Sequence, residues 1–198
     1  MRKESKTVKP LDKPWKQILR PALTLSILCL IIGVAIVGTH YFTADRIAEQ
    51  QEKAFFRSME RLLPATTYAE VERDEKGEPF LFSALDEAGN VKGHLILTGA
   101  FGYSGTIEVL TAMVEGTIIA IEIVDASGET PGLGQKIREE DFMRQFQNLT
   151  APPVLSRSSQ VEVGEIQAIT GATISAEGVV HAVAEAVELY RRYISEFD

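Results

Sequence analysis

Cysteine and histidine are scarce in this chain of 198 residues. The one cysteine is Cys29, which lies inside an apolar stretch. The three histidines, His40, His94 and His181, are far apart in sequence. A disulfide needs two cysteines, and zinc or iron–sulfur sites need several Cys or His ligands at short spacings. The sequence therefore excludes a disulfide within the chain and predicts no metal site.

Basic residues are scarce beyond the first 20 positions. The whole chain holds 20 Lys and Arg against 28 Asp and Glu, and residues 1–20 account for 7 and 2 of these. The remainder therefore has 13 basic and 26 acidic residues, a net charge of −13. Proteins that bind nucleic acid present basic surfaces. The sequence predicts no nucleic-acid partner, and we interpret the acidic side chains as solvated surface.

Charged side chains are also missing from residues 21–42, PALTLSILCLIIGVAIVGTHYF, apart from His40 when it is protonated. At about 1.5 Å per residue, a helix of this length crosses roughly 30 Å of hydrocarbon. A cleaved secretory signal has an apolar core of only about 7 to 15 residues and a small-residue cleavage site. Here the run is longer and ends in Tyr41 and Phe42. The sequence predicts an uncleaved transmembrane helix surrounded by lipid.

Residues 1–20 are interpreted as a cytoplasmic basic tail, because positive charge is retained on the cytoplasmic side of a span. The basic residues are Arg2, Lys3, Lys6, Lys9, Lys13, Lys16 and Arg20. This orientation predicts a single-pass protein of the inner membrane of the cell, with its carboxy-terminal domain extracytoplasmic, on the periplasmic side. Residues 43–64 are rich in helix formers and predict a helical stalk.

Residues 65–198 predict one β-rich domain with a core at about 90–190, so the fold class is α+β. Residues 72–89 predict short strands in hairpins. Stronger strands are predicted at 91–99, 106–115, 117–124 and 161–169. A short helix is predicted at 139–146, and a last helix from Ser175 to about Phe197.

The segment Thr170-Gly171-Ala172-Thr173 directly precedes this last helix. Gly171 permits a tight turn and a close approach to a ligand. The start of a helix offers unpaired N–H groups and the positive end of the helix dipole, which together favour a phosphate. A plain turn with Thr173 or Ser175 as the helix N-cap fits the same residues. These four residues alone leave both interpretations open.

A second motif, Glu129-Thr130-Pro131-Gly132-Leu133-Gly134, predicts a rigid loop that a ligand can approach closely. A simple Pro-Gly turn is the alternative. A weaker signal is the glycine-rich lead of Gly102, Tyr103 and Gly105 before a β-run.

In their order along the chain, residues 129–134 before residues 170–173, the two motifs resemble those of FMN-binding domains in the G subunit of Rnf-type ion-translocating oxidoreductases. The C subunit of the sodium-pumping NADH:quinone reductase shares them. In both families the last threonine of the S/T-G-A-T motif carries FMN through its phosphate. The resemblance implies that FMN is joined to Thr173 as a phosphoester, in a turn shaped by Thr170, Gly171 and Ala172.

The resemblance also assigns the surroundings of the flavin. N–H groups around Ser175 to Glu177 would stabilise the phosphate. The residues expected along the flavin ring are Glu129, Thr130, Gly132, Leu133, Gly102 and Tyr103.

The resemblance extends over nearly the whole chain and implies an electron-transfer subunit with no substrate site or catalytic residue of its own. Its expected partners are the other membrane and peripheral subunits of an Rnf-type ferredoxin:NAD oxidoreductase complex. A flavin transferase that uses FAD and magnesium is expected to attach the FMN. The alternatives are the C subunit of the sodium-pumping reductase, a non-flavinylated scaffold subunit, and a stand-alone sensor domain.

Two positions depart from the family pattern. Gln167 stands six residues before Thr173, where an acidic residue is common, and Ser127 stands two before Glu129, where a histidine is common. We expect the first change to lower the efficiency of flavin attachment. The second is expected to alter the surroundings of the flavin.

Overall fold

The structure is a computed structural model that describes residues 15–158 and 161–194. Most of the predicted basic tail, residues 1–14, lies outside the described residues, as does the predicted end of the last helix near Phe197. The chain divides between Glu52 and Lys53 into two compact units.

The first helix, α1, runs without interruption from Trp15 to Leu62. Its stretch Ile18–Thr43 is 26 residues long and apolar enough to cross a membrane, and none of the window that meets this criterion is buried. Pro21 lies inside the helix, where it lacks the N–H that would donate to the carbonyl four residues earlier. The predicted span and the predicted stalk are therefore two parts of one helix.

Five strands form one antiparallel sheet in which spatial order follows sequence order. They are β1 Thr67–Arg73, β2 Pro79–Leu85, β3 Val91–Phe101, β4 Thr106–Val114 and β5 Thr117–Asp125. Glu115 and Gly116 both have positive φ and form the two-residue turn between β4 and β5, which matches the turn expected from sequence. Short hairpin connections suffice for this order because each strand pairs with the next one in the chain.

Both faces of the sheet are covered, which explains why the central strands are almost continuously apolar. On one face the last helix, α3 Thr173–Tyr193, packs through residues such as Val179 and Val183. Thr98 on β3 donates a hydrogen bond of 2.9 Å to the Ala182 carbonyl and so fastens the middle of α3 to the sheet. On the other face, within the second unit, Met59 at the end of α1 joins a second apolar cluster.

Between β5 and α3 the chain is less regular than the sequence predicted. A 3₁₀ turn, Gly134–Arg138, precedes the short helix α2, Glu140–Met143, which continues as 3₁₀ over Arg144–Phe146. The strand predicted at 161–169 is reduced to β7, Glu165–Gln167, which pairs in parallel with β6, Val154–Ser156.

The last helix begins two residues earlier than predicted. Ala172 takes the N-cap position, and Thr173 is the first helical residue. An amino-terminal apolar helix, an antiparallel sheet and a carboxy-terminal helix confirm the predicted α+β class.

Candidate functional site

Three loops meet at the amino-terminal end of α3. They are residues 102–105 after β3, residues 126–133 after β5, and residues 168–172 before α3. They border a cleft of about 460 Å³. Its lining consists of Tyr103, Glu129, Thr130, Leu133, Gly134, Gly171, Ala172, Thr173, Ile174 and Ser175. The three motifs singled out in the sequence therefore share one cleft.

Three residues predicted for the site do not line this cleft. Thr170 is an exposed residue of the turn before α3. Gly132 has open space around it and a φ of +76°, a turn conformation that glycine adopts without strain. Gly102 lies behind the cleft, packed against Glu129. The lining also includes Ile174, which was not predicted from the sequence, because a lone isoleucine carries no signal of a binding site.

Thr173 is placed where a helix offers its unpaired donors. The first hydrogen bond of α3 runs from the Ala176 N–H to the Ala172 carbonyl, at 3.0 Å. The N–H groups of Thr173, Ile174 and Ser175 precede this bond and have no acceptor within the helix. Thr173 itself is half-buried in the cleft wall. Thr173 is therefore a cleft residue at the helix start, where three backbone donors and the positive end of the helix dipole favour an anion.

Neither hydroxyl of this turn caps the helix. The N-cap is Ala172, and no side chain makes a capping hydrogen bond there. The assignment of Thr173 or Ser175 as the helix N-cap, which belonged to the plain-turn interpretation, is therefore wrong. The cap position is filled by a side chain that cannot accept a hydrogen bond, so the donors of the first turn stay available to a ligand.

Glu129, in the loop after β5, is hydrogen-bonded to the loop after β3 and to the first turn of α3. Its side chain is 2% exposed, although it borders the cleft. Oε1 accepts the backbone N–H groups of Tyr103 at 2.8 Å and Ser104 at 3.2 Å. Oε2 accepts the Ser175 hydroxyl at 2.5 Å. A buried carboxylate requires such donors, because an unpaired charge in the interior is costly.

The electrostatics of the cleft come from backbone groups. Among the residues that line it there is no Lys, Arg or His. An anion bound here would be balanced by N–H groups and the helix dipole, with the Glu129 carboxylate nearby. The site thus suits a singly charged phosphodiester better than a phosphomonoester, which carries about −1.5 to −2 at neutral pH.

The cleft has the size and the lining expected of a cofactor site. Its volume falls in the range typical of cofactor sites, about 300–1,000 Å³. Tyr103, Leu133 and Ile174 expose apolar surface beside Thr173, at 69%, 48% and 51% exposure. Gly171 has a φ of +82°, which glycine adopts without strain, and the space beside it is open, since an added Cβ would meet only Leu133, at 3.5 Å. A phosphate at the helix start and a flat apolar ring against these side chains can be held together.

The two departures from the family pattern lie outside the cleft. Gln167 is exposed at the end of β7, and its backbone N–H donates to Gln145 Oε1 at 2.7 Å. Ser127 donates through its N–H and its hydroxyl to the Asp125 carboxylate, at 2.9 and 3.2 Å. Because the Gln167 side chain is exposed, a protein that recognises the motif can contact it.

Two family models match the chain. The FMN-binding domain matches residues 102–188, from the loop after β3 to the last turns of α3, and so contains the whole cleft. The RnfG N-terminal region matches residues 9–62, up to the end of α1. Among curated proteins, the G subunit of the ion-translocating oxidoreductase complex of Methanosarcina acetivorans is 31% identical over 185 residues. That alignment covers 87% of this chain and 94% of the relative.

The chain belongs to the RnfG family. Another relative is the G subunit of the proton-translocating ferredoxin:NAD(+) oxidoreductase complex of Clostridium ljungdahlii, 30% identical over 89% of this chain and 94% of the relative. A third, from the Na(+)-translocating complex of Acetobacterium woodii, is 30% identical over 89% and 93%. These matches confirm the resemblance inferred from the two motifs.

A solved structure shares the fold of this RnfG-family chain. The C subunit of the Na(+)-translocating NADH-quinone reductase of Parabacteroides distasonis superposes with a TM-score of 0.51, at 19% identity, over 60% of this chain and 63% of that one. Membership in a family of membrane-complex subunits, together with the apolar part of α1, makes the chain a membrane-anchored protein.

Proposed function

We propose that this chain is an electron-transfer subunit that carries FMN covalently, through a phosphoester on Thr173, within an Rnf-type ferredoxin:NAD oxidoreductase complex. The observation that supports this most directly is the position of Thr173 as the first residue of α3, in the wall of the cleft and beside three unpaired N–H groups. FMN supplies one-electron and two-electron redox chemistry when it is bound.

The residues of the chain hold and orient the cofactor in this proposal. N–H groups of Thr173, Ile174 and Ser175 donate to the phosphate, and this set replaces the donors expected at Ser175 to Glu177, because an N–H beyond Ser175 is used inside the helix. Tyr103 and Leu133 supply apolar surface for the ring.

Covalent attachment would compensate for the weak affinity of this cleft for a free phosphate group. With no basic side chain in its lining, the cleft retains a free phosphomonoester poorly. A phosphoester to Thr173 prevents dissociation and lowers the charge that the helix start must balance. A flavin transferase with FAD and magnesium is the proposed source: the Thr173 Oγ1–phosphorus bond forms, the pyrophosphate bond of FAD breaks, and AMP leaves with release of the hydroxyl proton.

In this proposal the basic residues before the span keep the amino terminus in the cytoplasm and the domain outside, with the apolar stretch Ile18–Thr43 of α1 in lipid. The proposed electron donors and acceptors are the other subunits of the complex. Co-purification of other subunits in mild detergent tests this, and a chain that is always isolated alone would favour a stand-alone sensor.

The decisive experiment is the intact mass of the full chain, purified in detergent from its native host, followed by fragmentation. We expect added mass equal to FMN less one water, confined to the peptide that contains Thr173. Thr173→Ala should remove it, whereas Thr150→Ala, which changes an exposed threonine outside both the motif and the cleft, should retain it. An unmodified wild-type chain would contradict the proposal and favour the scaffold alternative, for which Gln167 is the motivating residue.

A further inference from the structure

Two hydroxyls of the first turn of α3 have opposite surroundings. Thr173 is half-buried and borders the cleft. Ser175 is 1% exposed, and its hydroxyl donates inward to Glu129. Residues two apart on an α-helix point about 200° away from each other, so one turn presents these side chains to different sides. A modifying enzyme that approaches this turn therefore meets one accessible hydroxyl.

Glu129 lies on the inward side of the first turn of α3 and accepts hydrogen bonds there. Its donors come from two other segments, the N–H groups of Tyr103 and Ser104 in the loop after β3 and the hydroxyl of Ser175 in α3. Both carboxylate oxygens are thus engaged. The resemblance implied that Glu129 lies along the flavin ring. In the structure, both of its carboxylate oxygens accept hydrogen bonds from the protein itself.

Two glycines enclose this carboxylate from opposite sides, which is independent evidence for a built site. A Cβ at Gly134 would overlap Glu129 Oε2 and would lie 2.9 Å from the Ser175 hydroxyl. A Cβ at Gly102 would overlap Glu129 Oε1 and would lie 2.5 Å from Ile107 Cδ1. The loops therefore close around the Glu129 side chain and leave no room for a larger neighbour.

We propose that Glu129 is a positioning residue for flavin attachment: it holds Ser175 inward and the 102–105 loop against α3, so that Thr173 is the hydroxyl presented to the transferase. The inference rests on the proposed covalent FMN and concerns how this chain selects the modified residue. The bond changes are those given above for FAD and Thr173. Glu129 takes no part in them and touches none of the reacting atoms.

The test compares Glu129→Gln with Glu122→Gln in the full chain from its native host. Glu122 is a matched control, because its Oε1 likewise accepts a serine hydroxyl, that of Ser58 at 2.8 Å, in a different part of the domain. We expect Glu129→Gln to lower flavin occupancy of Thr173 at least about tenfold, as misplacement of a reacting group does. Glu122→Gln should stay within about twofold of wild type. Ser175→Ala, which removes one donor and leaves a good helix former, should lower occupancy less than Glu129→Gln.

A second readout uses the same full-length variants expressed without the transferase. Amide hydrogen exchange at 102–105 and at 173–176 should be faster in Glu129→Gln than in wild type, and unchanged at these segments in Glu122→Gln. Both effects together, lower occupancy and faster exchange, support the proposal. Faster exchange with normal occupancy would reduce Glu129 to a structural role, and low occupancy with normal exchange would indicate direct contact with the transferase. Either result overturns the proposal.

Failure of the broader proposal gives a different result. If wild-type protein from the native host carries no flavin on Thr173, covalent attachment is wrong, and a role in presenting Thr173 falls with it. If wild type is fully modified and Glu129→Gln is modified to the same extent, covalent attachment stands and only the role of Glu129 is overturned.

Discussion

The two ends of α3 each border a cleft, of about 460 Å³ at the amino-terminal end and 350 Å³ at the carboxy-terminal end. The second cleft is lined by Val91, Lys92, Gly93, His94, Val114, Glu115, Tyr190 and Ile194. Here polar groups are paired within the protein: Tyr190 Oη accepts the Gly116 N–H at 3.1 Å, and Lys92 donates to the Pro64 carbonyl at 2.6 Å. At the first cleft, by contrast, the N–H groups of the first turn have no acceptor in the helix.

Helix polarity and loop composition thus separate the two ends, although both have space for a ligand. The start of a helix attracts an anion, whereas its end attracts cations, and Arg191 and Arg192 lie in the last turn of α3. Glycine-rich loops approach the amino-terminal end, and strands border the other. Space alone therefore does not distinguish the proposed flavin site from the second cleft, and variants at each end can test the difference between them.

The largest effect is expected from a methyl group added at each end. Gly134→Ala would press on Glu129 and Ser175, and Gly93→Ala would lie 2.7 Å from the Met113 carbonyl oxygen. Overpacking costs about 1–3 kcal/mol of unfolding free energy, so thermal melts should show both variants destabilised. Intact mass should show loss of flavin only in Gly134→Ala. Equal flavin loss in both variants would mean that general destabilisation, not the local site, controls attachment.

A smaller effect is expected from Tyr190→Phe at the carboxy-terminal end. The change removes the acceptor of the Gly116 N–H, which should lower the free energy of unfolding in denaturant by about 0.5–1.5 kcal/mol. Flavin occupancy should not change, because Tyr190 lies near the far end of α3 from Thr173. Altered occupancy here would show that the two ends are coupled.

A cation added to the first cleft should strengthen binding of free FMN. In a Thr173→Ala background, Ile174→Lys places a positive charge in a lining that has none, whereas Ile194→Lys places one at the other cleft. We expect a gain of a few-fold in affinity, about 0.5–1 kcal/mol, for the first variant only, measured by titration at low salt. The gain should shrink in high salt, because salt screens exposed charges. Equal gains for both variants would point to a non-specific charge effect.

The smallest effect concerns Glu108 on β4, away from both clefts. Its pKa is raised, first by desolvation and second by the neighbouring Asp125 carboxylate. When folding raises the pKa of a carboxyl group, that group adds to the free energy of unfolding at pH values below the ordinary glutamate pKa. This contribution is lost as pH rises through the pKa of the folded state. Glu108→Gln should therefore stabilise the protein at neutral pH, by no more than about 0.5 kcal/mol because solvent screens the exposed side of the group, with no gain at acidic pH. Melts across pH check this, and a gain that persists in acid would exclude the charge as its cause.

Patterns within single segments predicted much of the fold. β3, β4 and β5 were expected within a few residues of their observed bounds, because each is a dense run of β-branched and aliphatic residues closed by a turn signal. The strand predicted at 161–169 was too long. A positive φ at Gly164 places a turn directly before Glu165, and the short strand depends on pairing with Val154–Ser156 from elsewhere in the chain.

The sequence by itself determined the parts whose physics is local. An apolar run long enough for a membrane, basic residues before it, and the two motifs with Thr173 and Glu129 can all be seen without coordinates. These features depend on composition, on the conformational freedom of glycine and proline, and on the order of residues along one segment.

Only the tertiary structure decided how these parts act together. It brought Glu129 within hydrogen-bond distance of both Tyr103 and Ser175, across separations of 26 and 46 residues, and it made Ala172 the N-cap in place of a hydroxyl residue. No local pattern encodes which donors a buried carboxylate will receive, because these depend on how the sheet brings its loops to one end of α3. For that physical reason the motif alone indicated Thr173, whereas the hydrogen bonds of Glu129 to Tyr103, Ser104 and Ser175 could be seen only in the packed structure.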